Sequence, residues 1–290
     1  VKGRLRTYRD LTGEDRSHLG AQVAEQLEGV ARRLASVRRV VAVMSGKGGV
    51  GKSLVTAGLA TSLAPAWKVG VLDADLHGPT AAGLLGCGSA PLAVTGDAAQ
   101  PAVGARGVRV ISTDLLLPEG APLRWKGPAQ HAHVWRGTME AGMLREFLAD
   151  VAWGELDLLL VDLPPGMERL ISLAELVPDL RGVVAVTLPG DASRRSVLRS
   201  LRLAAELGVD VLGIVENMAG YLCPSCGASG PLFSGDAARF LADATSAPVL
   251  ARIPFDPRVQ ADADAGRLAA SERAAELFAP LALALRERLE

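Results

Sequence analysis

Lysine is scarce in this chain of 290 residues: of 31 Lys and Arg side chains only five are lysine, at positions 2, 47, 52, 68 and 126. Cysteine is scarcer, with Cys87, Cys223 and Cys226 only. Three thiols in a chain of this length build no disulfide framework, so the expected setting is a reducing, cytoplasmic one. Neither sign of charge is in excess: 31 basic and 32 acidic residues leave a formal charge of −1. That balance argues against a general nucleic-acid binder and against a polybasic membrane protein. No apolar run reaches the ~20 residues that cross a bilayer. The basic start, Val1-Lys2-Gly3-Arg4-Leu5-Arg6, is not followed by the apolar stretch of a secretion signal, so none is expected. Apolar residues are plentiful at 49%, which supplies a core and excludes a disordered chain.

Hydrophobic periodicity divides the chain into alternating elements. Residues 12–37 read as a helix, with Leu19, Val23, Leu27, Val30 and Leu34 in one stripe. Short β-branched runs at 39–44, 68–72, 107–111, 156–161, 182–187, 211–215 and 249–253 read as buried strands. Helical patterns at 53–63, 138–151 and 191–207 separate several of them. Residues 271–289 form a last helix, in which Pro280 is expected to cause a kink. Strands alternating with helices predict an α/β fold with a mainly parallel β-sheet covered by helices on both faces. Residues 86–106 and 114–135 lack a period and read as long loops, the first with room for a short hairpin. No composition break marks a second domain.

Two of the five lysines fall within Gly46-Lys47-Gly48-Gly49-Val50-Gly51-Lys52-Ser53, which satisfies G-x-x-x-x-G-K-S/T between a predicted strand and a predicted helix. Glycines let successive backbone N–H groups turn inward onto phosphate oxygens, and the following helix adds its positive N-terminal end. In such a P-loop Lys52 reaches the β- and γ-phosphates of ATP and the Ser53 hydroxyl ligates Mg²⁺. A Gly-rich turn without a ligand is the bland alternative, and the flanking strand and helix weigh against it. The expected organisation is a helical extension over residues 1–37 and a P-loop ATPase domain over 38–290.

Phosphoryl transfer also needs a metal, an oriented water and charge neutralisation. Val71-Leu72-Asp73-Ala74-Asp75 ends one predicted strand in carboxylates, and Leu158-Leu159-Leu160-Val161-Asp162 ends another. Ligand sites of open α/β sheets collect at such strand ends. Four apolar residues before Asp162 make a Walker B pattern, which puts its carboxylate near Mg²⁺. Gly166, in Pro164-Pro165-Gly166, offers an N–H to sense the γ-phosphate. Taken alone, each Asp reads equally well as a cap or turn residue.

Cys223-Pro224-Ser225-Cys226-Gly227 is the second chemical feature. One C-x-x-C offers two thiolates, whereas a four-thiolate site needs four. Two chains giving two each would meet the count. Cys87 lies in a distant loop and reads as a packing residue. Vicinal thiolates in a tight turn suit soft metals. A redox C-x-x-C opens a helix, which Pro224 and Gly227 disfavour. Half of a zinc knuckle also fits, with His131 and His133 able to complete it within one chain.

The second lysine of Lys47-Gly48-Gly49-Val50-Gly51-Lys52-Ser53 resembles the deviant Walker A motif of the MinD/ParA branch of P-loop ATPases. Together with residues 71–80, 147–166, Glu216-Asn217-Met218 and the cysteine pair, it makes the chain similar to the Mrp/ApbC family of iron–sulfur cluster carriers. The matching stretches spread over about residues 40–266. The resemblance implies a homodimer that binds and hydrolyses ATP, bridges a 4Fe–4S cluster through Cys223 and Cys226 of both chains, and passes it to apo iron–sulfur proteins. The near-zero net charge leaves no nucleic-acid or membrane partner expected. By the same resemblance Lys47 crosses to the nucleotide of the other chain, Asp75 orients water, Asp73 supports it or the metal, and Asn217 contacts adenine.

The chain departs from the family where Met167-Glu168-Arg169 replaces Thr-Gly-Asp after Pro-Pro-Gly. Its Gly-rich run after the cysteines is reduced to Phe233-Ser234-Gly235-Asp236, and residues 1–37 are too short for the extra domain many members carry. Two other functions compete. A MinD/ParA-like positioning role needs a basic membrane- or DNA-binding surface. Residues 271–290 instead hold four Glu against three Arg. A zinc-binding regulatory ATPase is the other.

Overall fold

The structure is a computed structural model that describes residues 19–88, 92–96, 98–116 and 132–290; the side chains of 19–23, 132–139 and 192 are outside that description. Helix α1 (Leu19–Leu34) leads into β1 (Val40–Ser45), which is buried throughout. Next come α2 (Lys52–Leu63), β2 (Val69–Asp73) and the one-turn α3 (Ala81–Leu84). A small hairpin of β3 (Val94–Thr95) and β4 (Ala98–Ala99) precedes β5 (Ala102–Val103) and β6 (Arg109–Ile111). The chain continues through α4 (Ala132–Ala149), β7 (Leu158–Asp162), α5 (Glu168–Leu176), β8 (Gly182–Thr187) and α6 (Asp191–Glu206). It ends with β9 (Val211–Leu222), β10 (Ser229–Gly230), α7 (Ala237–Thr245), β11 (Val249–Phe255), α8 (Pro257–Asp264) and α9 (Glu272–Leu289).

The main sheet has the order β10-β9-β8-β1-β7-β2-β6-β5, with β11 added to β9. Its pairings are parallel except at β5 and β10. From β1 the sheet grows in both directions, towards β7 and β2 on one side and β8 and β9 on the other. Such a switch point opens a crevice beyond the strand's C-terminal end, and the P-loop begins there.

Side chains alternate along a strand, so β1 feeds two cores. Val41 and Val43 pack in the layer that holds Leu59 of α2 and Phe278, Leu281 and Leu285 of α9. Val40, Ala42 and Met44 pack in the layer that holds Leu148 of α4, Leu173 of α5 and Val197 of α6. Helices therefore cover both faces, as the alternating pattern predicts. Val30 of α1 is buried in the second layer, Arg33 Nε donates to Ala149 O at 2.9 Å, and Val37 bridges Leu156. The N-terminal helix thus packs against the P-loop domain, and residue 37 already pairs with the sheet.

Several boundaries differ from the sequence pattern. Strand β9 continues past residue 215 to Leu222, because β11 and β10 pair with its second half. Helix α4 begins at Ala132 rather than 138. Helix α9 runs through Pro280 as one element, held by its buried face of Ala274, Phe278, Leu281 and Leu285. Helices α5, α7 and α8 are too short to show a period. Asp236 and Asp256 cap the last two, accepting the N–H of Arg239 and Arg258. The expected helix over 12–18 and most of the loop over 114–135 lie outside the described residues.

Candidate nucleotide site and cysteine turn

The P-loop turns from β1 into α2 with Gly49 and Gly51 both at φ +76°. Gly51 caps α2 in the left-handed region, where a side chain is strained, and a Cβ there would strike the Asn217 amide. The loop is braced on two sides. Asn217 Nδ2 donates to Val50 O at 2.8 Å, and Ser196 Oγ of α6 donates to Gly46 O. A Cβ on Gly46 would lie 2.5 Å from the Ser196 backbone, so α6 approaches as closely as glycine permits.

Asp162 collects the first turn of α2. Lys52 Nζ lies 2.7 Å from its Oδ1, Ser53 Oγ donates to Oδ2 at 2.6 Å, and Thr56 Oγ1 donates to Oδ1 at 3.0 Å. The ion pair is buried, with the Lys52 and Asp162 side chains 6% and 0% exposed. Asp73 is the register partner of Asp162 on the adjacent strand. It accepts the N–H groups of Thr80 and Ala81 at 2.9 and 3.0 Å and the Ser112 hydroxyl at 3.2 Å. Burial, then the nearby Asp162 carboxylate, pushes Asp73 up to about 7 against the pull of those N–H donors. Ser53 and Asp162 together are a hydroxyl and a carboxylate, the hard oxygen donors that suit Mg²⁺.

A cleft of about 380 Å³ opens over the loop. Residues 47–53 line it together with Asp75, Pro165 and Asn217. Gly46, Asp73, Asp162 and Gly166 sit around it without lining it. Asp75 is half-buried and accepts the Gly78 N–H at 3.2 Å. Lys47 is half-exposed, and its ammonium makes no ion pair among the described residues. Gly166, at φ +110°, donates its N–H to Ser45 O at 3.2 Å, so contact with a γ-phosphate requires that bond to open.

The site also uses residues that sequence reasoning missed, among them Thr56, which is buried behind the cleft against Asp162. Thr56 stands four residues after Lys52, one helical turn on, and that spacing could have revealed it. Met218 takes φ +53°, an uncommon conformation for its type, beside Asn217 in the cleft wall. Asp256 lines the same wall, and Arg258 and Arg273 hold its carboxylate well below the usual range. Asp256-Pro257, three residues after a predicted strand, is a helix-start signal that marks the position.

The cysteine pair lies in the turn that joins β9 to β10. Cys223 donates its N–H to Ala228 O, and Gly227, at φ +72°, donates to Cys223 O, both at 2.9 Å. The N–H groups of Cys226 and then Ser225 hold the Cys223 thiol below its ordinary value, which favours the thiolate that binds metal. Cys226 is exposed and Cys223 half-exposed. Burial pushes Cys87 up to about 11, consistent with an inert packing role. His131 and the side chain of His133 lie outside the described residues. The turn and the cleft share one strand: Asn217 and Cys223 are six residues apart, about 20 Å along an extended chain. Tyr221 and Phe255 stack at 6.4 Å between the two neighbouring strand ends.

Residues 36–286 match the family described as ParA: NUBPL iron-transfer P-loop NTPase. An iron-sulfur cluster carrier protein of Saccharolobus solfataricus is 36% identical over 240 residues, covering 82% of this chain and 78% of that one. A cytosolic Fe-S cluster assembly factor of Chaetomium globosum is 40% identical over 241 residues, covering 78% and 77%. Among solved structures, a nucleotide-binding protein of Archaeoglobus fulgidus in complex with ADP superposes with a TM-score of 0.70 at 36% identity, covering 87% and 96%.

Proposed function

The chain belongs to the NUBPL iron-transfer P-loop NTPase family, and from that premise we propose that it is an ATP-hydrolysing carrier of a 4Fe–4S cluster. The cluster is its cargo, held between two copies of the chain and passed to apo iron–sulfur proteins. The observation that carries this reading is strand β9, which bears Asn217 against the P-loop and, at its end, a turn presenting two thiols. The names of the relatives, an iron-sulfur cluster carrier and an Fe-S assembly factor, support the choice of cargo.

The chain's own groups supply the phosphate chemistry. Backbone N–H groups of residues 46–53 and the Lys52 ammonium neutralise the phosphates. Mg²⁺, held by Ser53 and Asp162, supplies further charge neutralisation when bound. Lys52 is shared between Asp162 and the incoming phosphates, so nucleotide binding competes with the buried ion pair. Asp75 orients the attacking water, with Asp73 behind it fixing the loop. Asn217 reads the adenine side of the cleft, and Gly166 senses the γ-phosphate once freed from Ser45.

A second copy completes two deficits. Two thiols leave a four-iron cluster two ligands short. No group of three or more His, Cys, Asp or Glu side chains able to hold a metal occurs among the described residues. Lys47 is free to reach the other chain's nucleotide. ATP would draw the copies together and hydrolysis would relax them. Membrane positioning is a weaker reading, because the apolar face of α9 is already buried. No described helix is long and apolar enough to cross a membrane. Exposed free thiols fit a reducing cytoplasm.

Anaerobic reconstitution with ferrous iron and sulfide tests the reading. The wild type should take up iron and gain iron–sulfur absorption, whereas Cys223→Ala and Cys226→Ala should not, with ATP binding intact. Equal spectra in all three proteins, or bound zinc without iron in anaerobically purified protein, would overturn it.

A further inference from the structure

Glu140 of α4 joins two loops of the nucleotide site without lining the cleft itself. Its Oε1 lies 2.6 Å from His77 Nε2, and its Oε2 pairs with Arg169. His77 belongs to the loop after β2, between Asp75 and Gly78. That loop is stiffened from within, since Asp73 accepts the N–H groups of Thr80 and Ala81 and Asp75 accepts that of Gly78. Arg169 sits in the first turn of α5, directly after Pro164-Pro165-Gly166. One carboxylate therefore clasps the loop bearing Asp75 to the loop bearing Gly166.

Burial makes the clasp specific. The Arg169 and Glu140 side chains are 12% and 14% exposed, and a guanidinium this shielded is costly unless it is paired. His77, 53% exposed, is the looser arm. Arg169 also lies in the Met167-Glu168-Arg169 segment, where the sequence departs from the carriers it resembles. The clasp thus explains a departure that the nucleotide contacts leave unused.

We propose that Glu140 is a positioning residue for ATP hydrolysis: through His77 and Arg169 it sets Asp75 and the Gly166 N–H in one arrangement about the γ-phosphate. This rests on the ATPase reading and adds what fixes its geometry. A group that only positions should change turnover more than affinity, because small misplacements act on the transition state.

The test is steady-state ATP hydrolysis with ADP affinity measured in parallel. Glu140→Gln and Arg169→Ala should each lower kcat about tenfold while KM and ADP affinity stay within about twofold. The double variant should be no slower than either single, since both break one clasp. Arg169→Lys, which restores a cation, should regain most of the turnover. Unchanged kcat in the single variants overturns the proposal. So do multiplying effects in the double variant, or a joint loss of kcat and ADP affinity, which would mark Glu140 as purely structural. A wild type that binds no ATP would instead refute the ATPase reading itself.

Discussion

Replacing Lys52 by Met removes the cation from a carboxylate that has no access to water. Asp162 is fully buried and Lys52 nearly so, at 2.7 Å. Breaking a buried ion pair by deleting one partner costs about 3–5 kcal/mol, because the remaining charge is stranded. The Ser53 and Thr56 hydroxyls still donate to Asp162, at 2.6 and 3.0 Å. Those charge-assisted bonds hold the loss towards the lower end, about 3 kcal/mol. Asp162→Asn in the same chain removes the stranded charge and keeps the shape. Lys52→Met/Asp162→Asn should therefore be more stable than Lys52→Met alone by about 2 kcal/mol. ATP affinity should be lost in both, since neither offers a cation to the phosphates. Urea unfolding with linear extrapolation reads the stability, and calorimetric titration reads ATP binding. A Lys52→Met protein within about 0.5 kcal/mol of wild type would refute the buried-pair reasoning. So would a double variant less stable than the single.

Lys47→Ala should leave ATP affinity within about threefold of wild type and cut turnover by about an order of magnitude, because its proposed target is the other chain's nucleotide. Equal loss of affinity in Lys47→Ala and Lys52→Ala, by titration, would count against that role. Asp73, raised from 3.8 to about 7, holds its proton in the folded chain where the unfolded chain has released it. Its contribution to stability therefore falls as pH rises through that window, by up to roughly 4 kcal/mol. Asp73→Asn removes that fall, so the variant should gain on wild type between pH 4 and 7 in urea unfolding; a constant gap would contradict the shift. A Cβ at Gly58 would lie 2.5 Å from three Phe278 ring atoms. Gly58→Ala should cost about 1–3 kcal/mol by overpacking α2 against α9, and Phe278→Leu in the same chain should recover part. An unchanged unfolding midpoint would show that these helices separate easily.

The local parts of the site were legible because their spacing is local. Residues 46–53 carry loop, cation and hydroxyl in one stretch, and Asp73 and Asp162 each follow an apolar strand. The parallel sheet with two helical layers follows from the same alternation. What escaped depends on contacts between distant segments. His77, Glu140 and Arg169 meet only because α4 passes both loops, and no periodicity reports that meeting. The second half of β9 lacks a strand-like apolar pattern, and its pairing with β11 and β10 makes it a strand. Pro280 weakens α9 locally, yet its face buried against α2 keeps the helix whole. Helices α7 and α8 were marked only by their capping Asp residues, a signal carried by one side chain each.

The most direct test of the shared cargo site is a mixed dimer. One chain keeps both cysteines and carries one affinity tag; the other carries Cys223→Ala/Cys226→Ala and a second tag. After anaerobic reconstitution and tandem purification, iron and acid-labile sulfide are measured per dimer. A cluster held by both chains predicts that wild-type dimers carry it and mixed dimers carry none, while both retain ATP. A mixed dimer holding a full cluster would contradict the account, because one chain's Cys223 and Cys226 would then suffice.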